Sequence, residues 1–333
     1  MTRTWKAALL AGAAIVTAGP ALAQEKPLSI YIGYSTGGGY DVYGRIVARH
    51  IGKHMPGTPN VIVNNMPGAG SLRLANWLYT VAPKDGTVMG VVARGVAFDT
   101  LLGMPGASFE ATKFNWIGSA NDEVSVCVSW QTSGVKTFQE AIDKGLIVGG
   151  TGGSADTDQF PRVFNGVLGA KFKIVTGYPG GNDINLAMER GEVLGRCGWS
   201  WSSVITTKPE WLKEKKMNVL VQLALSKHPD LPDVPLISEF AKDDLQRGVF
   251  KLVFARQLMG RPFLAPPGVP ADKVATLRKA FMETMKDKDF LSEADRAKLE
   301  ITPVEGEVVQ KVVAEAYAMQ PEVIALTAKV LKE

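Results

Sequence analysis

Four Gly-rich loops constrain this chain more than any other feature. They are GYSTGGGYD (33–41), NNMPGAGS (64–71), GGTGGSADTD (149–158) and GYPGGND (177–183). Each follows a short apolar run and opens an amphipathic segment. LSIYIGY (28–34) and NVIVNN (60–65) are rich in β-branched residues and read as strands. After the first loop, Val42, Ile46, His50 and Ile51 recur at helical spacing, with Asp41 placed as the N-cap. TVMGVVA (87–93) is a third strand. Strand, loop and helix in alternation predict an α/β chain with parallel strands and right-handed crossovers.

The pattern restarts after Trp116. VSVCVSW (124–130), LIVGG (146–150), FKIVTGY (172–178), GEVLGRCGW (191–199) and VLVQLAL (219–225) read as strands of a second α/β unit. Residues 226–333 hold too few strands for a sheet of their own and are expected to return to the first unit. This gives a first lobe of residues 24–117 plus 226–333 and an inserted second lobe of residues 118–225. The chain crosses between them near 117–120 and 223–227.

The first residues predict export. Arg3 and Lys6 precede an apolar run over 7–16, then Gly19, Pro20 and Ala21-Leu22-Ala23. That is a secretory signal with cleavage after Ala23, which places the mature chain in the periplasm. The run is shorter than the ~20 residues a membrane span needs. Cleavage leaves 310 of the 333 residues, enough for two domains with their own cores. It also leaves 35 basic against 33 acidic residues with no basic block, so nucleic acid is not an expected partner. The two cysteines, Cys127 and Cys197, both lie in apolar strands. They form either a bridge, which this compartment permits, or a pair of buried thiols.

The loops carry the chemistry. Ligands of open α/β sheets bind outside the carboxyl ends of the strands. Helix N-termini there present unpaired N–H groups and a positive dipole end, which suit an anion. Ser35, Thr36, Ser71, Thr151, Ser154 and Thr157 add hydroxyl groups beside them. One such loop is an ordinary turn. Four, two in each lobe, describe a clamp for a small carboxylate. Arg94 ends the third strand, where it either faces the crevice and pairs with a carboxylate or lies on the surface. Aromatic residues crowd the same loops, among them Tyr34, Tyr40, Tyr178, Trp199 and Trp201. Those that line the crevice imply a ligand with an apolar or aromatic body.

Signals of catalysis are weak. Gly33-Tyr34-Ser35-Thr36-Gly37 matches the G-x-S-x-G nucleophile elbow between a strand and a helix. A triad needs a histidine. His50 and His54 lie on the helix that leaves the loop, and His228 sits in a Pro-rich turn. A periplasmic serine hydrolase using Ser35 is therefore the alternative and not the main reading. HIGKH (50–54) lacks the Glu of a zinc protease, and STGGGYD lacks dinucleotide spacing. No metal or cofactor is expected, and the chain is not read as an enzyme.

In combination, the four loops, the P-x-D-G-T turn at 83–87, LPDVPLISEF (231–240) and LAPPGVPADKVATL (264–277) resemble the solute receptors of tripartite tricarboxylate transporters, the Bug family. The resemblance covers nearly the whole mature chain. It implies a periplasmic-binding-protein clamshell of two Rossmann-like α/β lobes joined by two crossover strands. It also implies a monomer that delivers its ligand to integral-membrane permease subunits. Carried over to this sequence, the ligand-binding residues are Tyr34, Ser35, Thr36, Gly39 and Asp41 on one side. Thr151, Ser154 and Thr157 face them, and Asp41 serves more as a helix cap than as a ligand contact. The chain departs from the family at Ala93-Arg94, where many members have Gly-Ser, and at GRCGWSW (195–201), where an acidic residue is common. Arg94 and Trp199 in the pocket imply a second negative group and a flat or apolar body, as in a dicarboxylate or an aromatic acid. A ligand-sensing receptor for a signalling partner would use the same closure.

Overall fold

Eleven strands form two sheets in the computed structural model, which describes Met1 and residues 26–332. The proposed leader and its cleavage point lie outside the described residues, Met1 excepted. The first sheet holds β1 (Leu28–Ile32), β2 (Val61–Asn65), β3 (Val88–Val91), β4 (Asn115–Ser119), β10 (Pro262–Ala265) and β11 (Val304–Glu305). Its order is β11-β4-β10-β3-β1-β2. The second sheet holds β5 (Ser125–Trp130), β6 (Ile147–Gly149), β7 (Lys173–Val175), β8 (Gly195–Ser200) and β9 (Met217–Leu223) in the order β7-β6-β8-β5-β9. This is the two-lobed α/β clamshell expected from the sequence.

Neither sheet is parallel throughout. β1 pairs in parallel with β2 and β3, but β10 lies antiparallel between β3 and β4. In the second sheet β5 runs antiparallel to both β8 and β9. β10 lies among residues 226–333, where the sequence pattern marks no strand at this position. Its four residues are all buried, so it carries no alternation to mark it as a strand.

Local chemistry explains how the elements near the cleft begin. Leu28, Ile30 and Ile32 of β1 point to one side and pack with Tyr43, Ile46 and Val47 of the helix Gly39–Ile51. That helix starts three residues earlier than expected, with Gly38 and not Asp41 as N-cap. Asp41 lies in its first turn, not at the N-cap, and accepts the N–H of Gly37 in the preceding loop at 2.8 Å, so it braces the loop and does not cap the helix. The strands after residue 226 both join the first sheet. The helix Pro321–Lys332, however, packs on Asp156–Leu168 of the second lobe and on Asp244–Ala255, whose Phe254 ring meets Phe160 at 4.9 Å. Phe160, Phe164, Val253, Phe254 and Val330 share one core there.

Cys127 of β5 and Cys197 of β8 are buried on neighbouring strands and bonded to each other. The structure thus selects the bridge from the two alternatives. No helix of the described residues is long and apolar enough to cross a membrane.

Candidate functional site

The four Gly-rich loops meet where the two lobes face each other. The Gly70 N–H donates to the Thr151 carbonyl at 3.0 Å, and the Ser35 N–H to the Pro179 carbonyl at 3.2 Å. Ser35 Oγ donates to the Asp183 carboxylate and Asn182 Nδ2 to the Gly37 carbonyl, each at 2.8 Å. These bonds join loops of opposite lobes, so the clamshell is closed. Two glycines make such close approach feasible. A Cβ at Gly152, where φ is +131°, would stand 2.5 Å from Ala69 Cα. One at Gly70, where φ is +67°, would stand 2.5 Å from the Ala155 amide nitrogen.

Between the lobes lies a small cavity lined by residues of both. Tyr34, Gly39, Tyr40, Arg94 and Arg261 line it from the first lobe. Thr151, Asp156, Thr157, Gly181, Arg196 and Trp199 line it from the second, together with Ser200 and Ser203. Six residues expected from the sequence therefore reach the lining: Tyr34, Gly39, Arg94, Thr151, Thr157 and Trp199.

Four expected residues do not. Ser35 turns to Asp183. Thr36 is exposed on the outer side of the loop. Asp41 is enclosed by Arg45 at 2.9 Å and Asn65 Nδ2 at 2.8 Å, so its charge serves the first lobe. Ser154 is buried behind the lining. For Ser35 and Asp41 a contact within or between loops claims the side chain, and loop composition does not reveal such contacts.

Arg94 reaches the cavity but is already paired. Its Nε donates to Asp156 at 2.6 Å, and its Nη2 donates to Ser125 Oγ at 2.9 Å and Ser200 Oγ at 2.8 Å. An arginine of the first lobe thus holds a carboxylate of the second. Asp156 is shared with Arg256, 3.3 Å away. The free carboxylate partner expected for Arg94 is the protein's own. Behind this pair, burial pushes the Asp99 carboxyl up to about 7.

Two arginines that sequence reasoning overlooked complete the site. Arg196 on β8 is only 9% exposed and lies over the Trp199 ring at 4.6 Å. Its Nη1 donates to the Gly181 carbonyl at 3.1 Å and Asn185 Oδ1 at 3.0 Å, and its Nε has no partner. Among the described residues no carboxylate pairs with it, and burial lowers its pKa to about 9. Arg261 lies against Tyr40 and Tyr43, 4.8 and 4.9 Å from their ring centres. It donates to Ser200 Oγ at 3.0 Å and Ser203 Oγ at 2.7 Å and pairs with Glu123 at 3.3 Å, while its Nε is also without a partner. One signal was available for each. Arg196 interrupts the apolar run VLGRCGW, and Arg261 directly precedes PFLA. A charge inside a buried strand is rare without a function.

The G-x-S-x-G elbow is not accompanied by a triad. Ser35 bonds to Asp183, and the three histidines have acidic neighbours elsewhere. His50 faces Glu293 at 2.6 Å, His54 faces Asp287 at 3.2 Å and His228 faces Glu300 at 3.1 Å. His228, Asp230 and Glu300 lie close enough to suggest a metal site. Both ring nitrogens of His228 are engaged, however, one by Glu300 and the other by the Asp230 N–H at 3.1 Å.

Two α/β lobes closed on a polar cavity lined by both define a periplasmic-binding-protein fold. Solved structures confirm the class. Periplasmic binding protein BugD superposes with a TM-score of 0.72 at 18% identity, covering 91% of this chain and 97% of its own. MatC from Rhodopseudomonas palustris, solved with bound malate, gives 0.71 at 18% identity over 90% of this chain and 98% of its own. Another R. palustris protein, solved with adipate, gives 0.70 at 16% identity over 91% and 97%. Among curated proteins, the UPF0065 protein in the gbd 5′ region of Cupriavidus necator is 27% identical over 289 residues, 80% of this chain and 78% of that protein. No protein-family model matches the chain.

Proposed function

We propose that this chain is an exported periplasmic receptor, not an enzyme. It captures a small carboxylate between its lobes and hands it to the permease of a tripartite tricarboxylate-type transporter. The observation that carries this reading is Arg196, a buried cation with no carboxylate partner in a cavity built by both lobes. A buried charge left unpaired is costly, so the cavity favours an anion as its occupant. Tyr34, Gly39, Thr151 and Thr157 surround the same space and supply further donors. That the related folds were solved with malate and adipate accords with such a ligand. The secretory signal over residues 1–23 supports export. The hydrolase alternative loses its support once Ser35 is bonded to Asp183.

A thermal-shift screen of the mature protein against monocarboxylates, dicarboxylates and aromatic acids tests the proposal. A ligand at 100-fold excess over its Kd stabilises the native state by about 2.7 kcal/mol. At least one organic acid is expected to raise the melting temperature. A screen in which none does so overturns the receptor reading.

A further inference from the structure

We infer that the bond between Cys127 and Cys197 is a positioning device for the ligand site: it fixes where β8 bulges, and the bulge sets Arg196 and Trp199 on one face. This rests on the receptor reading and adds to it two residues that line no part of the cavity.

The bulge is the first observation. Val126 pairs with Trp199 and Val128 with Arg196, so one residue of β5, Cys127, stands opposite two of β8, Cys197 and Gly198. Gly198 takes φ +71°, and a Cβ there would stand 2.7 Å from Asp156 Cβ. Side chains of a regular strand alternate between faces, so an odd separation places two residues on opposite sides. Arg196 and Trp199 are separated by such an odd step. Yet the guanidinium lies over the Trp199 ring at 4.6 Å, and both side chains line the cavity. The extra residue of the bulge brings them to the same side. There Arg196 Nη1 reaches both its acceptors, the Gly181 carbonyl and Asn185 Oδ1, on the helix Gly181–Glu189.

What holds the bulge in place is the second observation. Every residue of Ser125–Trp130 and Gly195–Ser200 is buried. Strands buried on both faces carry no alternation of apolar and polar residues to specify their register. On its other edge β5 meets β9 with a second register shift, between Cys127 and Val128, so that ladder is interrupted at the same point. Gly198 permits the bulge, and the covalent bond pins it. A one-residue slip of β8 past β5 would draw Cys197 away from Cys127 and turn the side chains of β8 to the opposite face. Cys127 and Cys197 pack in one core with Leu220 and Val221, whereas Trp199 packs in another with Val126 and Val128. The bond therefore acts on the site through the course of β8 and not by contact with a ligand.

Two double variants of the mature protein test this. Cys127→Ala with Cys197→Ala removes the bond, and Cys127→Val with Cys197→Ala removes it while restoring apolar volume. Phe281→Leu, in the separate core of the first lobe, is the control for lost stability alone. Near-UV circular dichroism checks that each variant is folded. The Arg196 Nε–H resonance, assigned by its loss in Arg196→Lys, reports the position of the guanidinium without any ligand. It is expected to be displaced by the Trp199 ring current in the wild type and in Phe281→Leu, and to return to the ordinary arginine range in the double variants. Isothermal titration with succinate, malate, adipate and benzoate reports binding. The tightest of these acids is expected to lose at least about 10-fold in affinity in the double variants, the order for one lost hydrogen bond to a charged group. In Phe281→Leu the loss is expected to stay below about 2-fold, as for independent sites. An unmoved resonance or an unchanged affinity in a folded double variant overturns the inference and leaves the receptor reading intact, as does an equal loss in Phe281→Leu. Failure of both double variants to fold makes the bond a requirement of the fold and overturns a role in the site. Absence of binding by any acid to the wild type overturns the receptor reading, and the resonance then decides by itself whether the bond positions Arg196.

Discussion

Arg94 and Asp156 form a buried ion pair that joins one lobe to the other, 2.6 Å apart and 62 residues apart in the chain. Removing one partner of such a pair leaves the other desolvated without full compensation. Arg94→Ala leaves Asp156 with Arg256 alone, at 3.3 Å. It is expected to lower the stability of the ligand-free protein by about 2–4 kcal/mol in urea unfolding. Combining it with Asp156→Asn should cost less than the two single changes added together. A change below about 0.5 kcal/mol for Arg94→Ala would show that the pair contributes nothing to the fold, since that is the range of a neutral surface substitution. The strand-end position of Arg94 was legible in the sequence, but its partner was not. Nothing local to either residue specifies the other.

Among the elements, β8 carries most of the consequences for the site. Within six residues it holds Arg196, Cys197, Gly198, Trp199 and Ser200, all buried. Gly198 has φ +71°, and a register shift in the pairing of β5 with β8 lies opposite it. That irregularity re-aims the strand, so that the cavity receives Arg196 and Trp199. The bond between Cys127 and Cys197 ties β8 to β5 across 70 residues of chain. Closing a loop of that length restricts the unfolded chain, so reduction is expected to cost about 2–4 kcal/mol of stability. Denatured, unreduced protein should show no titratable thiol. Two free thiols in that assay would remove the bridge and this prediction with it.

At the scale of the whole molecule, function is expected to depend on closure. The contact of Gly152 with Ala69 and Gly70 leaves no room for a side chain. Gly152→Ala is therefore expected to leave each lobe folded but to hold the clamshell open. Small-angle scattering should show a larger radius of gyration at saturating ligand than for the wild type. Affinity for the acid found in the screen should fall by at least about 10-fold, because the binding-competent closed state is depopulated. Unchanged compaction together with unchanged affinity would mean that this contact does not govern closure.

What the sequence determined by itself is the set of local events: strands ending in Gly-rich loops, helices beginning at those loops, and a pattern that restarts after Trp116. Such events depend on the period of apolar residues and on turn chemistry, both confined to a few neighbouring positions. They were sufficient for the two-lobed α/β class, and together with the family resemblance they reached six of the lining residues. Only the tertiary structure decided that β10 inserts between β3 and β4, that Arg94 is paired with Asp156, and that Arg196 is paired with no carboxylate. These outcomes are pairings between segments remote in the chain. Their energies depend on which charges are buried together when the lobes pack, a quantity that no local pattern contains.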